Sequence, residues 1–210
     1  MSNEHNGWYN KVFSAAYDPL MSAVEKNALS GRRKLLLAGL TGKVLEIGCG
    51  TGINFEFYSD RADVLALEPS DAMRAQALER AAGKIAARVR VEPWLLEDER
   101  LAAEFGAGCF DAVVCTLILC TVPDPAATLT TLRRYLKPGG KLVALEHVRA
   151  KSDAGQWVQN LMNPFWRHLA EGCQLNRDTH AAILAAGFTA KDKSEFDYGL
   201  PFISGVYVNA

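Results

Sequence analysis

The chain has 210 residues, 49% of them apolar and 22% charged, which is enough for one globular domain with a sizeable core. Twenty-three Lys and Arg against 24 Asp and Glu leave a formal net charge of −1, so there is no electrostatic surplus to hold nucleic acid or an anionic membrane as main partner. The opening MSNEH has neither a basic start nor an apolar run, and the longest apolar stretch, residues 112–122, falls short of the ~20 residues a spanning helix needs. A cytoplasmic protein without stable membrane insertion is expected.

Five short strands are predicted in chain order: residues 43–47 (KVLEI), 63–67 (DVLAL), 88–91, 111–115 (DAVVC) and 141–146 (KLVALE). Helical composition separates them at residues 71–82 and 126–136, and this alternation predicts a mostly parallel sheet covered by helices on both faces. Pro138, Gly139 and Gly140 stop the second helix. A further helix over residues 178–186 ends at Gly187, and residues 203–209 (ISGVYVN) form a closing strand. Two segments stand outside the sheet: a cap over residues 1–35, and residues 152–173, broken at Pro164, which form either a lid that turns Trp157, Met162, Phe165 and Trp166 toward an apolar site or a surface helix packing by its apolar face. The same apolar side chains also suit peripheral contact with a membrane interface. No repeat or linker divides residues 1–210, so one domain is expected. Cysteines 49, 109, 115, 120 and 173 contain no Cys-x-x-Cys pair, and neither a disulfide framework nor a metal is expected.

The chemistry concentrates after the first strand, in VLEIGCGTG, where Gly48, Cys49, Gly50, Thr51 and Gly52 lead into a helix near Ile53 or Asn54. Glycine tolerates positive φ and lets a ligand touch the backbone, so this is a nucleotide-binding turn. Its Gly-x-Gly-x-Gly spacing differs from the Gly-x-Gly-x-x-Gly of dinucleotide enzymes. Glu46 beside it would repel a pyrophosphate and welcome an ammonium. The segment resembles the first motif of class I S-adenosylmethionine-dependent methyltransferases. That resemblance implies an α/β, Rossmann-like, doubly wound sheet of seven mostly parallel strands with helical caps, and S-adenosylmethionine as cofactor with S-adenosylhomocysteine as product.

Further cofactor contacts follow along the chain. Glu68 lies 20 residues after Gly48 at the end of the second strand, where doubly wound sheets bind ribose hydroxyls, with Pro69 beside it. Met73 is placed to pack on the adenine. Trp94 is either a wall against adenine or an ordinary core tryptophan, and Leu95 supplies backbone contacts. Thr116 and Leu117 leave the fourth strand at the switch point and are candidates for the methionyl end.

Residues 111–120 (DAVVCTLILC), 136–148 (LKPGGKLVALEHV) and 171–188 (EGCQLNRDTHAAILAAGF) are similar to the methyltransferase-like group that contains the mammalian membrane-associated alkyl thiol methyltransferases. A small, fairly apolar acceptor, with a thiol first, is thus implied by resemblance; the hydrophobic N-terminal membrane segment of those relatives has no counterpart here. Phospholipid amines and quinone rings are the alternative acceptors, because the same core resembles small phospholipid N-methyltransferases and quinone-ring methyltransferases. A thiol of pKa ~8.5 needs little help at neutral pH, whereas a hydroxyl or ammonium needs a base. His147, at the end of the fifth strand, is the candidate for that role or is satisfied by the following loop. Tyr17 in the N-terminal cap is the second catalytic candidate, and Tyr9, Trp166 and His168 are candidates to line the acceptor site. A cofactor-binding protein without turnover is the reading of a different class.

Overall fold

The computed structural model of this protein describes residues 29–83, 85–170 and 172–210. Seven strands make one sheet in the order β3-β2-β1-β4-β5-β7-β6. They are β1 (Gly42–Ile47), β2 (Ala62–Leu67), β3 (Arg88–Glu92), β4 (Phe110–Thr116), β5 (Leu136–His147), β6 (Phe188–Tyr198) and β7 (Leu200–Asn209). β1 to β5 are mutually parallel, and β7 runs antiparallel to both β5 and β6. The chain builds outward from β1 to β3 and then crosses back to lay β4 on the other side of β1. Open α/β sheets bind ligands at such a reversal, outside the carboxyl ends of the strands.

Alternation along each strand divides the core into two layers. Leu45, Leu65, Val113 and Leu142 point to one face, where α4 (Pro125–Tyr135) and α6 (Thr179–Ala185) cover them with Leu129, Leu132 and Ile183. Val44, Val64, Ala112 and Val143 point to the other, against Leu37 of α1 (Ser30–Leu37) and Ala77 of α2 (Asp71–Ala81). Both faces are filled, as a parallel sheet requires. Asp124 accepts from Ala126 and Ala127 N–H and Pro125 opens the helix, so α4 starts where a cap and an N1 proline say it should.

Two local expectations are revised, and two elements are added. The helix after the glycine turn is a five-residue 3-10 turn, Ile53–Phe57. A short helix, α3 (Glu99–Glu104), follows β3. β6 carries Lys191, Lys193, Glu195 and Asp197 and does not look like a strand in sequence, because an edge strand protects itself with charge. Finally, α5 (Asp153–Leu169) runs unbroken through Pro164, although proline removes one main-chain hydrogen bond there. No described helix is long and apolar enough to cross a membrane.

Candidate active site

β1 ends at Ile47 directly beside Cys115 of β4, so the turn over residues 48–52 and the loop after β4 share one rim. Gly48, Gly50 and Gly52 all have positive φ, at 60°, 57° and 79°. Their surroundings differ. A Cβ at Gly48 would stand 2.5 Å from Ile118 Cδ1, and one at Gly52 would stand 2.6 Å from Phe55 Cε2. At Gly50 nothing lies within 4 Å. Positive φ favours glycine at all three; a side chain at Gly48 or Gly52 would also displace Ile118 or Phe55, while Gly50 faces an open cradle that a ligand can enter. Cys49 is buried and Thr51 half-buried in the same turn.

Beneath the turn lies a polar network that the sequence reading did not assemble. Glu46 is buried; its Oε1 accepts from Asn54 Nδ2 at 2.7 Å and its Oε2 from the Tyr58 hydroxyl at 2.7 Å. Asn54 Nδ2 also reaches Thr116 Oγ1 at 3.0 Å, and Arg33 donates to Asn54 Oδ1 at 2.6 Å. Burial pushes the Glu46 carboxyl up to about 7, against the hydrogen bonds from Tyr58 and Asn54 and the charge of Arg33. Glu46 thus props the turn through Asn54 instead of presenting an open carboxylate at its surface. Asn54 and Tyr58 carry no motif signal, since each is an ordinary residue until the fold puts it under Glu46.

Glu68 braces the turn from the other side. Its Oε2 accepts from Gly50 N–H at 2.8 Å and its Oε1 from Ser70 N–H at 2.9 Å. A carboxylate has about four lone-pair positions, so two remain for ribose hydroxyls. Pro69 is exposed and Met73 half-buried nearby. Trp94 belongs to the core, packed with Leu45, Leu67 and Leu96 and flanked by the Arg90 and Arg100 guanidinium groups at 5.3 and 5.6 Å from its ring centre. Trp94 is buried, and Leu95 is the side chain turned outward.

The loop after β4 is held by a buried acid at the end of β5. Glu146 accepts from the N–H groups of Ile118, Leu119 and Cys120 at 3.0, 2.9 and 3.3 Å, while burial pushes its carboxyl up to about 7. Leu117 is forced to a φ of 57°, the one described non-glycine residue with positive φ, a conformation that costs energy unless the surroundings impose it. Here the clamp by Glu146 and the bond from Leu117 N–H to Leu145 O at 2.9 Å impose it. Thr116 and Leu117 are half-buried at the mouth of this rim.

His147 is not offered to an open pocket. It is buried, its Nε2 lies 2.7 Å from Cys173 Sγ, and its Nδ1 has no partner among the described residues. Cys173 lies 3.9 Å from Cys120 Sγ and accepts from Trp166 Nε1 at 3.3 Å. The contacts from Cys120, His147 and Trp166 hold the Cys173 thiol well below the usual thiol range, while Cys120 is driven up. Of the acceptor-site candidates, Trp166 meets this cluster and His168 is exposed on α5. Tyr9 and Tyr17 lie outside the described residues. Trp157, Met162 and Phe165 are exposed on α5 and do not turn inward as a lid lining would. A separate cavity opens at the opposite, amino-terminal edge of the sheet between Gly42, Asp111, Lys137 and Gly139, away from all of these groups.

Comparison with known proteins places this arrangement. A methyltransferase domain model matches residues 20–189. The chain is 36% identical to thiol S-methyltransferase TMT1B of Homo sapiens over 165 residues, covering 73% of this chain and 63% of that protein. It is 31% identical to thiol S-methyltransferase TMT1A of Homo sapiens over 187 residues, covering 84% and 72%. The chain therefore spans a little under two thirds of the length of TMT1B. Among solved structures, geranyl diphosphate C-methyltransferase from Streptomyces coelicolor, in complex with S-adenosyl-L-homocysteine, matches with a TM-score of 0.65 at 16% identity, covering 100% of this chain and 88% of that one. The chain belongs to the methyltransferase domain family, with the fold of the S-adenosylmethionine-dependent enzymes.

Proposed function

We propose that this protein transfers a methyl group from S-adenosylmethionine to the sulfur of a small, fairly apolar thiol. The observation that carries the cofactor reading is the open left-handed cradle at Gly50, braced by Glu68 and underpinned by Glu46. The thiol is supported by the TMT1A and TMT1B relatives, which are thiol S-methyltransferases. A cytoplasmic site of action agrees with five cysteines that carry no disulfide.

Gly50 admits the methionyl backbone, Glu68 receives the ribose hydroxyls, and Thr116 and Leu117 border the sulfonium end. When bound, the cofactor's sulfonium supplies an electrophilic methyl. The chain's task is then to place the acceptor sulfur in line at ~3–3.5 Å and to exclude water. The acceptor thiol would lose its proton to solvent, and its sulfur would take the methyl to become a thioether, with S-adenosylhomocysteine as the departing product. No protein base is required, which agrees with the engagement of His147 Nε2 by Cys173.

The test is transfer of labelled methyl to a simple alkyl thiol, run beside phosphatidylethanolamine vesicles and a hydroquinone. Label on the thiol alone is expected; label only on lipid or quinone overturns the acceptor. S-adenosylhomocysteine is expected to raise the melting temperature and NADH to leave it unchanged. Gly50→Val, which fills the cradle and strains φ, is expected to abolish that protection; full protection in the variant removes the turn from the cofactor site.

A further inference from the structure

Three chain segments converge on one buried point at the edge of the rim. Cys120 closes the loop after β4, His147 ends β5, and Cys173 follows α5. Their ligand atoms all lie within 4.8 Å of one another; Cys120 and His147 are buried, and Cys173 sits at the margin of burial. Main-chain pairing fixes the approach, since Gln174 N–H donates to Cys120 O at 2.9 Å. Two thiols and an imidazole gathered away from water form a donor set of the kind that soft and borderline divalent ions select.

We propose that Cys120, His147 and Cys173 form a three-ligand site for one thiophilic divalent cation of the zinc type. The geometry can be compared with known bond lengths. Zinc–sulfur bonds of ~2.3 Å at tetrahedral angles put two sulfurs about 3.8 Å apart, and Cys120 Sγ and Cys173 Sγ stand 3.9 Å apart. Zinc–nitrogen bonds of ~2.0 Å put nitrogen and sulfur about 3.5 Å apart, so the imidazole has to draw back from its 2.7 Å contact with Cys173 by about 0.8 Å. A support for a ligating sulfur is already in place, because Trp166 Nε1–H points at Cys173 Sγ from 3.3 Å. Arg177 lies alongside and donates to Leu119 O at 2.6 Å, steadying the loop that carries Cys120. Three protein ligands leave a fourth position, and the ion would tie the end of α5 to the carboxyl rim of the sheet. This inference stands apart from the methyl-transfer reading, since it concerns ion binding alone.

The experiment is anaerobic titration of the full, reduced, chelator-treated chain with Co2+, read by absorption without cofactor or acceptor. One equivalent is expected to saturate a thiolate-to-cobalt charge-transfer band, accompanied by the visible bands of a four-coordinate ion, and Zn2+ is expected to displace both. Cys120→Ser and Cys173→Ser are each expected to lose the charge-transfer band, while Cys109→Ser, at a half-exposed thiol beside Lys43, keeps it. Absence of the band from the wild-type chain in excess Co2+ overturns the site and leaves a hydrogen-bonded pair of His147 and Cys173. A band that survives unchanged in both serine variants overturns it equally. Because the wild-type arm alone can refute the site, a variant that fails to fold does not shield it.

Discussion

The helices α4 and α5 are both two-faced, and they are built the opposite way round. α4 buries Leu129, Leu132 and Tyr135 against the sheet, the usual arrangement for a helix covering a parallel core. α5 turns Trp157 and Phe165 to solvent, 66% and 69% exposed, with Val158, Leu161 and Met162 beside them. Its inward stripe is amide. Gln159 accepts from Ala150 N–H at 2.7 Å and donates to Val148 O at 3.1 Å, and Asn163 accepts from Leu175 N–H at 2.8 Å. The partners explain the inversion. α4 rests on the middle of a sheet whose main-chain groups are already paired, whereas α5 rests beyond the end of β5, where N–H and C=O groups still need partners. A periodic pattern thus declares that a helix has two faces, and the neighbour decides which one is inside.

The largest effect is expected from breaking the apolar seam. Leu129→Ala removes a fully buried side chain between α4 and the sheet, and is expected to cost about 2–5 kcal/mol in urea unfolding. A loss below about 1 kcal/mol would show that the site collapses around the gap and that α4 is not anchored as described.

The polar way of filling space is sharpened at Glu46, which the fold surrounds with hydrogen bonds and yet denies water. Its carboxyl is raised from an ordinary 4.5 to about 7, so the folded chain holds this proton more tightly than the unfolded chain does. The associated stability is fully present below pH 4.5 and is lost as pH rises through about 7, amounting to something on the order of 3 kcal/mol. Glu46→Gln keeps the shape and cannot titrate. Melting curves of the two proteins at pH 5 and pH 8 are expected to show the wild type losing ground to the variant at the higher pH. Parallel pH profiles would mean that Glu46 stays ionised throughout and that Arg33 and Tyr58 offset its burial.

What could be read from the sequence follows the same division. Strands β1, β2, β4 and β5 announce themselves because each carries a mostly apolar run buried on both faces, at residues 44–47, 64–67, 112–115 and 142–145. β6 does not, because its charged edge residues look like a loop. The glycine turn is legible because three left-handed positions leave a chemical signature in the chain, and Glu68 is legible by its distance from that turn. Asn54, Tyr58 and Glu146 are not, since their roles exist only across strands, and no local pattern links Glu146 to three amides some 26–28 residues earlier. Cys120 and His147 lie 27 positions apart, and His147 and Cys173 lie 26 apart, so no ligand spacing of the Cys-x-x-Cys kind could reveal them.

The smallest stability effect is expected on the outer face of α5. Trp157→Ser together with Phe165→Ser removes two large rings that are already mostly in water, so little buried area is lost and the change in unfolding free energy is expected to stay within about 0.5 kcal/mol. The amide stripe is untouched, and Gln159 goes on holding Ala150 and Val148. A loss greater than about 1 kcal/mol would mean that the two rings are covered in solution, and α5 would then join α4 as a helix with its apolar side inward. Urea unfolding of the double variant beside Leu129→Ala therefore measures both helices on one scale. A large difference between the two substitutions is what the opposite orientation of these helices requires.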